Sequence, residues 1–259
     1  MKKRQTLKVS FILVCALFFG GCATQPQKAI APSGALRVGL YLGSPTSIIP
    51  GDSPATTRGV SYELGRDLAN SLGIPFEPIV FQKNAEVLVA AKEGKVDLLL
   101  TNATPARAKD YQFSKTVFRV EQGYLVGSTS SLQSIDQVDK KGINIGVSIA
   151  SSSEASLSSH LKNATLVRTK SLDDALLMLK SGKLDAFSTN KAILYELSDQ
   201  LKGSRILSGT LGYENFALGV PLGREEVIPY LNGFIDRMNA SGRMAEIIKF
   251  SGIRGVAVN

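Results

Sequence analysis

The chain has few of the residues that build metal centres and catalytic sites. Its 259 residues include two Cys, one His and no Trp. Both cysteines, Cys15 and Cys22, lie in the first 22 residues, so the remainder can form neither an internal disulfide nor a cysteine metal site. His160 lies in a serine-rich helical stretch and is predicted to be at the surface. We therefore predict neither a metal site nor a cofactor.

Motifs for phosphate binding and covalent catalysis are also missing. The chain has no G-x-G-x-x-G and no G-x-x-x-x-G-K-[ST] segment. Residues 146–150 (G-V-S-I-A) resemble a nucleophile elbow, but Ala150 replaces the final Gly and His160 follows too soon. A serine hydrolase is therefore disfavoured.

Charge gives little support for nucleic-acid binding. The formal net charge is +8, but Lys2, Lys3, Arg4 and Lys8 lie in the first 22 residues. Without them, 26 basic residues (30 − 4) face 22 acidic ones, which leaves +4. No dense basic run interleaved with aromatics remains, so we predict no nucleic-acid partner.

The first 22 residues have the pattern of an export signal. A basic start precedes an apolar run over 9–19, and Phe19-Gly20-Gly21-Cys22 looks like a lipobox with Phe in place of the usual Leu. We predict a lipoprotein signal peptide over 1–22, lipidation of Cys22 and a flexible tether over 23–35. The alternative is a secretory signal cleaved near Ala23. Since Ala23 is not Asp, the outer membrane is favoured over the inner one in an enteric-type bacterium.

A short segment occurs twice. Residues 92–102 read K-E-G-K-V-D-L-L-L-T-N and residues 180–190 read K-S-G-K-L-D-A-F-S-T-N, an offset of 88 residues. Each copy predicts a helix, a C-terminal Gly cap and a buried strand that ends in Thr-Asn. Two such units predict two similar α/β lobes with Thr101-Asn102 and Thr189-Asn190 on opposite walls of one cleft, because open α/β sheets bind ligands beyond the carboxyl ends of their strands.

The two predicted lobes are discontinuous in the sequence. We assign 36–124 plus 214–259 to the first lobe and 125–213 to the second. The crossovers, near 123–127 and 212–216, are the candidate hinges. The fold class is therefore α/β, with two open lobes joined by two hinge crossovers.

Polar residues after the predicted strands indicate a binding site for an anion. Arg107 follows the first repeat strand closely, and a guanidinium there suits a carboxylate; the alternative is a surface pair with Asp110. Ser151 and Ser152 open a helix on the opposite wall and offer hydroxyls and free N–H groups, although simple helix capping is the alternative role. Asn190 is either a second-wall contact or an ordinary turn residue.

Several motifs together resemble family 3 of the bacterial extracellular solute-binding proteins, the amino-acid-binding receptors of ABC importers. The strongest match is T-P-A-R-A-K at 104–109 with Phe113-Ser114, similar to the family's T-P-E-R-x-x-x-x-x-F-S stretch. The other matching segments are 36–39, 59–64, 94–97, 146–152 and 231–248. The resemblance implies a two-lobed type II periplasmic-binding-protein fold, a monomer, and an ABC permease as partner.

By this resemblance Arg107 would hold a ligand carboxylate. The other pocket residues that it implies are Asn102, Thr104, Ser151, Ser152, Asn190, Tyr41, Ser44 and Asn84. Three departures stand out: Asn190 replaces an Asp that binds the ligand ammonium, Ser44 and Asn84 replace aromatics, and Ala150 replaces a Gly.

The Asn190 departure suggests a ligand without an α-amine. A buried ammonium with no carboxylate partner costs several kcal/mol, roughly, so a small carboxylate or oxyanion would fit better opposite Arg107. We therefore predict a periplasmic receptor that closes on a small anionic solute, an amino acid or a related carboxylate or oxyanion, and delivers it to an ABC importer. The alternatives are a cyclohexadienyl-dehydratase-like lyase with Glu154 or Lys83 as general acid, and a sensor or protein-contact lipoprotein without transport.

Overall fold

The structure is a computed structural model that describes residues 26–257. The predicted signal peptide and its lipidation site, Cys22, lie outside these residues. Within 26–257, no helix is long and apolar enough to cross a membrane.

The first lobe starts with a parallel βαβ arrangement. Its elements are β1 Leu36–Tyr41, α2 Val60–Leu72, β2 Phe76–Phe81, α3 Asn84–Lys92 and β3 Leu98–Asn102. The strand order is β2-β1-β3, all parallel, so the three carboxyl ends lie along one edge. The apolar stripe of α2, from Val60 to Leu72, is buried against this sheet.

The second lobe repeats this plan. Its elements are β5 Asn144–Ser148, α4 Ser152–His160, β6 Thr165–Thr169, α5 Leu172–Lys180, β7 Ala186–Asn190 and α6 Lys191–Gln200. The order is β7-β5-β6, again parallel. Its apolar side chains form two clusters of their own, around Ile145 and around Phe187.

Two antiparallel strands connect the lobes. Strand β4 (Tyr111–Val126) pairs with β9 (Tyr213–Pro221) along its first part and with β7 at 122–125. Strand β9 also pairs with β3, and two short strands, β8 Arg205–Ile206 and β10 Val256–Ala257, flank β4. Helices α7 Ile228–Ala240 and α8 Arg243–Phe250 then pack on the first lobe. The two-lobed α/β fold is confirmed, while the precise lobe limits and the hinge role of 123–127 and 212–216 stay predictions.

The sequence repeat corresponds to a structural repeat. Helix α3 spans 84–92 and α5 spans 172–180, and the strands that follow span 98–102 and 186–190, so the 88-residue offset holds throughout. Gly94 (φ 69°) and Gly182 (φ 71°) both end their helices in the left-handed region, as the pattern predicted. Both strands end in the Thr-Asn pair.

The predicted tether over 23–35 is wrong for its described part. Residues Pro26–Ile30 form a short helix, α1, and Ile30 is 0% exposed in the core of the first lobe. An apolar residue in a polar, Pro-containing stretch can anchor that stretch to the fold, because burying one Ile side chain contributes about 1.5–3 kcal/mol. The folded domain therefore begins before residue 36.

Asp97 ties three parts of the first lobe together. This side chain is 0% exposed, and its carboxylate accepts hydrogen bonds from the Arg37 guanidinium at 2.9 and 2.8 Å and from Arg224 at 3.0 Å. It also accepts the backbone N–H of Arg37 at 3.2 Å. Asp185, at the repeat-equivalent position, accepts the backbone N–H of Asn144 at 2.8 Å. The shared Asp therefore fixes the start of the neighbouring strand in both lobes.

Replacing Asp97 by Ala is expected to lower the free energy of unfolding by about 3–5 kcal/mol, because two guanidinium groups lose a buried partner. Urea denaturation measures this change. The control is Asp110→Ala, which removes an exposed pair with Lys92 (2.8 Å) and should cost no more than about 1 kcal/mol. Equal losses for both variants would contradict the role given to Asp97.

Candidate functional site

A cavity lies between the lobes, at the carboxyl ends of both groups of parallel strands. Side chains from both lobes and from β9 line it. Seven of the nine predicted ligand-binding residues do so: Tyr41, Asn84, Asn102, Arg107, Ser151, Ser152 and Asn190. The repeat threonines Thr101 and Thr189 line it as well. The fold therefore brings together the residues that the repeat placed on facing walls.

Ser44 and Thr104 are not among the residues that line this cavity. Ser44 is 0% exposed, and its hydroxyl lies 2.8 Å from the hydroxyl of Thr46, within the loop after β1. Thr104 Oγ1 accepts the backbone N–H of Arg107 at 3.2 Å. Both hydroxyls take part in local hydrogen bonds within their own loops, and ligand contact by these two residues stays a prediction.

Arg107 is held from behind and has no acidic partner. Its Nη1 donates to Thr101 Oγ1 at 2.6 Å and to the backbone carbonyl of Asn102 at 3.2 Å. Asp110, the alternative partner, pairs with Lys92 instead. Within residues 26–257 no salt bridge involves Arg107. Burial in the cleft lowers the pKa of the guanidinium, and the negative charge of Glu214 opposes that shift.

Glu214 also lines the cavity, and the sequence reading did not identify it as a site residue. It is 4% exposed. Its Oε1 accepts Gln122 Nε2 at 3.0 Å and the hydroxyl of Ser152, and its Oε2 accepts Asn190 Nδ2 at 2.9 Å. A carboxylate has about four acceptor positions, so one remains for a ligand. Arg107 is therefore opposed by a carboxylate as well as by neutral groups, which corrects the assumption behind the amine-free ligand.

The sequence did contain a signal for Glu214. The segment 214–220 (E-N-F-A-L-G-V) reads as a buried strand, and an acid at its head shares a face with Phe216, two residues on. A charged residue on the inner face of a buried strand is rarely without a function or a partner. Phe216 lines the cavity too, beside its stacking partner Phe118 at a ring separation of 5.0 Å.

The two repeat asparagines hold adjacent residues of β9. Asn102 Oδ1 accepts the backbone N–H of Asn215 at 2.9 Å, while Asn190 donates to Glu214. Asn190 also caps α6, since its Oδ1 accepts the N–H of Ile193 at 3.2 Å. Each asparagine thus positions the strand that carries Glu214.

The loop before α4 shows how Ala150 replaces a glycine. Ala150 has φ 57°, a left-handed conformation that glycine adopts without cost, and its N–H donates to Glu154 at 2.6 Å. Ser151 caps α4 by accepting the N–H of Glu154 at 3.0 Å, which is the capping role left open by the sequence. Glu154 also pairs with Arg168 and does not line the cavity, whereas Lys83 does.

Other sequence predictions concern metals and histidine. His160 is exposed, as predicted. Residues 26–257 contain no group of three or more His, Cys, Asp or Glu side chains that could hold a metal ion.

Curated proteins with known names are similar to this chain. The glutamine-binding protein GlnH of an ABC transporter of Bacillus subtilis is 26% identical over 160 residues, 61% of this chain and 58% of that protein. This chain thus spans a little over half of that relative. A probable histidine-binding protein of Campylobacter jejuni is 28% identical over 200 residues, 74% of this chain and 75% of that one.

Solved structures share the fold. The ancestral amino-acid-binding protein AncCDT-1, a precursor of cyclohexadienyl dehydratase, superposes with a TM-score of 0.74 at 20% identity, covering 86% of this chain and 97% of that one. The profile of the bacterial extracellular solute-binding proteins, family 3, matches residues 36–250. The chain is therefore a member of family 3 of the bacterial extracellular solute-binding proteins.

Proposed function

We propose that this protein captures an amino acid between its lobes and delivers it to an ABC importer. The observation that carries the proposal is the pair of opposite charges in one cleft. Among residues 26–257, Arg107 has no acidic partner and Glu214 has one acceptor position without a donor. Arg107 binds the α-carboxylate by two parallel hydrogen bonds, and Glu214 accepts the α-ammonium. This proposal replaces the amine-free anion predicted from Asn190.

Electrostatics favours a ligand with both charges. An amine-free anion would satisfy Arg107 but would leave the 4%-exposed Glu214 carboxylate facing it without a counter-charge. An amino acid matches both groups. Asn190 then acts by orienting Glu214, and an Asp at this position would place two carboxylates in contact and weaken binding.

Ligand capture follows from the position of the cavity between the lobes. A ligand that contacts Arg107 on one wall and Ser151 or Thr189 on the other binds the closed state more tightly than the open state, and so shifts the population towards closure. The two crossing strands, β4 and β9, are where the proposed hinge motion occurs. A membrane partner, the permease or alternatively a sensor, reads the closed state.

The proposed location is the periplasmic side of a membrane, reached by general export. A lipid on Cys22 keeps the receptor at the membrane, with the outer membrane favoured by Ala23. The protein acts as a monomer without a cofactor. A receptor is preferred over a lyase, because Glu154, one of the two proposed general acids, faces Ala150 and Arg168 away from the cavity lining.

Replacing Arg107 by Ala is expected to lower amino-acid affinity at least 100-fold, because a buried carboxylate loses its charged partner. A thermal-shift screen detects this. A ligand at 100 times its Kd stabilises the folded protein by about 2.7 kcal/mol, and the variant should lose that shift. Lys109→Ala, an exposed residue in the same turn, is the matched control and should keep it. Wild-type affinity in Arg107→Ala would refute the proposed role.

Replacing Glu214 by Gln is expected to lower the affinity for an amino acid at least tenfold while leaving or improving binding of its amine-free analogue. The variant removes the counter-charge of the ammonium but preserves side-chain size. Isothermal titration with glutarate and glutamate compares the two ligand classes directly. A variant that binds both ligands as the wild type does would exclude an ammonium contact at Glu214.

A further inference from the structure

The structural repeat places two matching loops on opposite sides of the cavity. Residues 82–83 connect β2 to α3, and residues 170–171 connect β6 to α5. The loops are related by the same 88-residue offset as the repeat. Each contributes a lysine to the cavity lining, Lys83 from the first lobe and Lys170 from the second.

Strand order separates these lysines from the charged pair. Arg107 follows β3, and Asn190, which donates to Glu214, ends β7. The two lysines instead follow β2 and β6. In both lobes one strand lies between, in the orders β2-β1-β3 and β7-β5-β6. With strands about 4.8 Å apart, the lysine loops begin about 10 Å from the Arg107 end. The cavity therefore has one end with both charges and another end with two cations.

The charges that line the cavity do not balance. Three are cationic (Arg107, Lys83 and Lys170) and one, Glu214, is anionic, which leaves an excess of two positive charges. The Lys83 ammonium lies 3.5 Å from Glu86, and the Lys170 ammonium has no acid within 4.0 Å among the described residues. Glu86 does not line the cavity, and neither do the two acids at the start of α5.

Both lysine side chains are accessible to solvent at the cavity. The Lys83 side chain is 44% exposed, and Lys170 is exposed. Among the described residues, Lys170 makes one hydrogen bond. Its backbone N–H donates to the Asp174 carboxylate at 2.8 Å, so its ammonium makes none. A flexible ammonium at the edge of a cleft can follow a carboxylate over a few ångströms.

We infer that the ligand is an acidic amino acid, whose side-chain carboxylate lies between Lys83 and Lys170. The inference rests on the proposed function, because the α-carboxylate and α-ammonium must already occupy Arg107 and Glu214. Such a ligand carries two negative charges and one positive charge, so its net charge of −1 offsets part of the excess. The two lysines also explain how a receptor with the Glu214 carboxylate in its cleft can bind a solute of net negative charge.

The lysine pair discriminates by charge. A cationic side chain such as that of arginine would meet two like charges, which disfavours binding. A neutral amide such as that of glutamine can accept hydrogen bonds from the lysines but lacks the charge, and charge-assisted hydrogen bonds are about twice as strong as neutral ones. Glutamate should therefore bind at least tenfold more tightly than glutamine, and glutamine more tightly than arginine.

Isothermal titration of the purified protein with glutamate, aspartate, glutamine and arginine tests the inference. The double variant Lys83→Gln/Lys170→Gln should lose about tenfold or more in affinity for glutamate or aspartate, whichever binds more tightly, and change little towards glutamine. The matched control is Lys95→Gln/Lys183→Gln. The control removes the same charge, again with one lysine from each lobe, but Lys95 and Lys183 precede β3 and β7 and do not line the cavity.

The outcomes separate this inference from the proposed function. Preference for an acidic amino acid that is lost in the cavity variant and kept in the control supports it. Arginine or glutamine binding as tightly as the acidic ligands, with loss in Arg107→Ala, overturns the acidic side chain but keeps the amino-acid receptor. Equal loss in both double variants would show a general charge effect and overturn the inference. Failure of all four ligands to bind overturns the inference, whereas the proposed function is overturned only if the thermal-shift screen finds no other amino acid that binds.

Discussion

The cleft between the lobes depends on the buried carboxylate of Glu214. Its three donors come from three different places: Gln122 on β4, Ser152 at the start of α4 and Asn190 at the cap of α6. One acid at the beginning of β9 thus fixes the edge of the second lobe against the strand that returns to the first. These hydrogen bonds offset the free-energy cost of burying the carboxylate. Its negative charge also favours the protonated form of Arg107 across the cavity.

The repeat provides two similar walls, but their chemistry differs because the chain leaves the two strands differently. After β3 the chain makes a loop that returns Arg107 to Thr101 and Asn102. After β7 it enters α6 directly, so Asn190 is a helix cap. The duplicated βα units therefore give two corresponding loops that each carry a lysine, whereas the charged pair is asymmetric, since Arg107 follows β3 and Glu214 begins β9.

Much of the fold was readable from the sequence because local patterns specified it. The glycine-ended helices and buried strands of the repeat, the apolar stripe of α2 and the Thr-Asn strand ends all follow from short-range spacing. The prediction of a flexible tether over 23–35 was wrong for its described part, because burial of Ile30 in the core holds this otherwise polar segment against the first lobe. The local hydrogen bonds of Ser44 and Thr104, by contrast, became visible only in the structure.

The sequence by itself determined the two-unit α/β plan, the position of Arg107 beyond a strand and most of the residues on the facing walls. Only the tertiary structure decided what Arg107 faces. Glu214 lies 107 residues further along the chain, on a strand whose apolar pattern indicates burial but not its neighbours. Antiparallel pairing of β9 with β3 and β4 brings this carboxylate to the cleft, and such long-range pairing leaves no mark in local spacing.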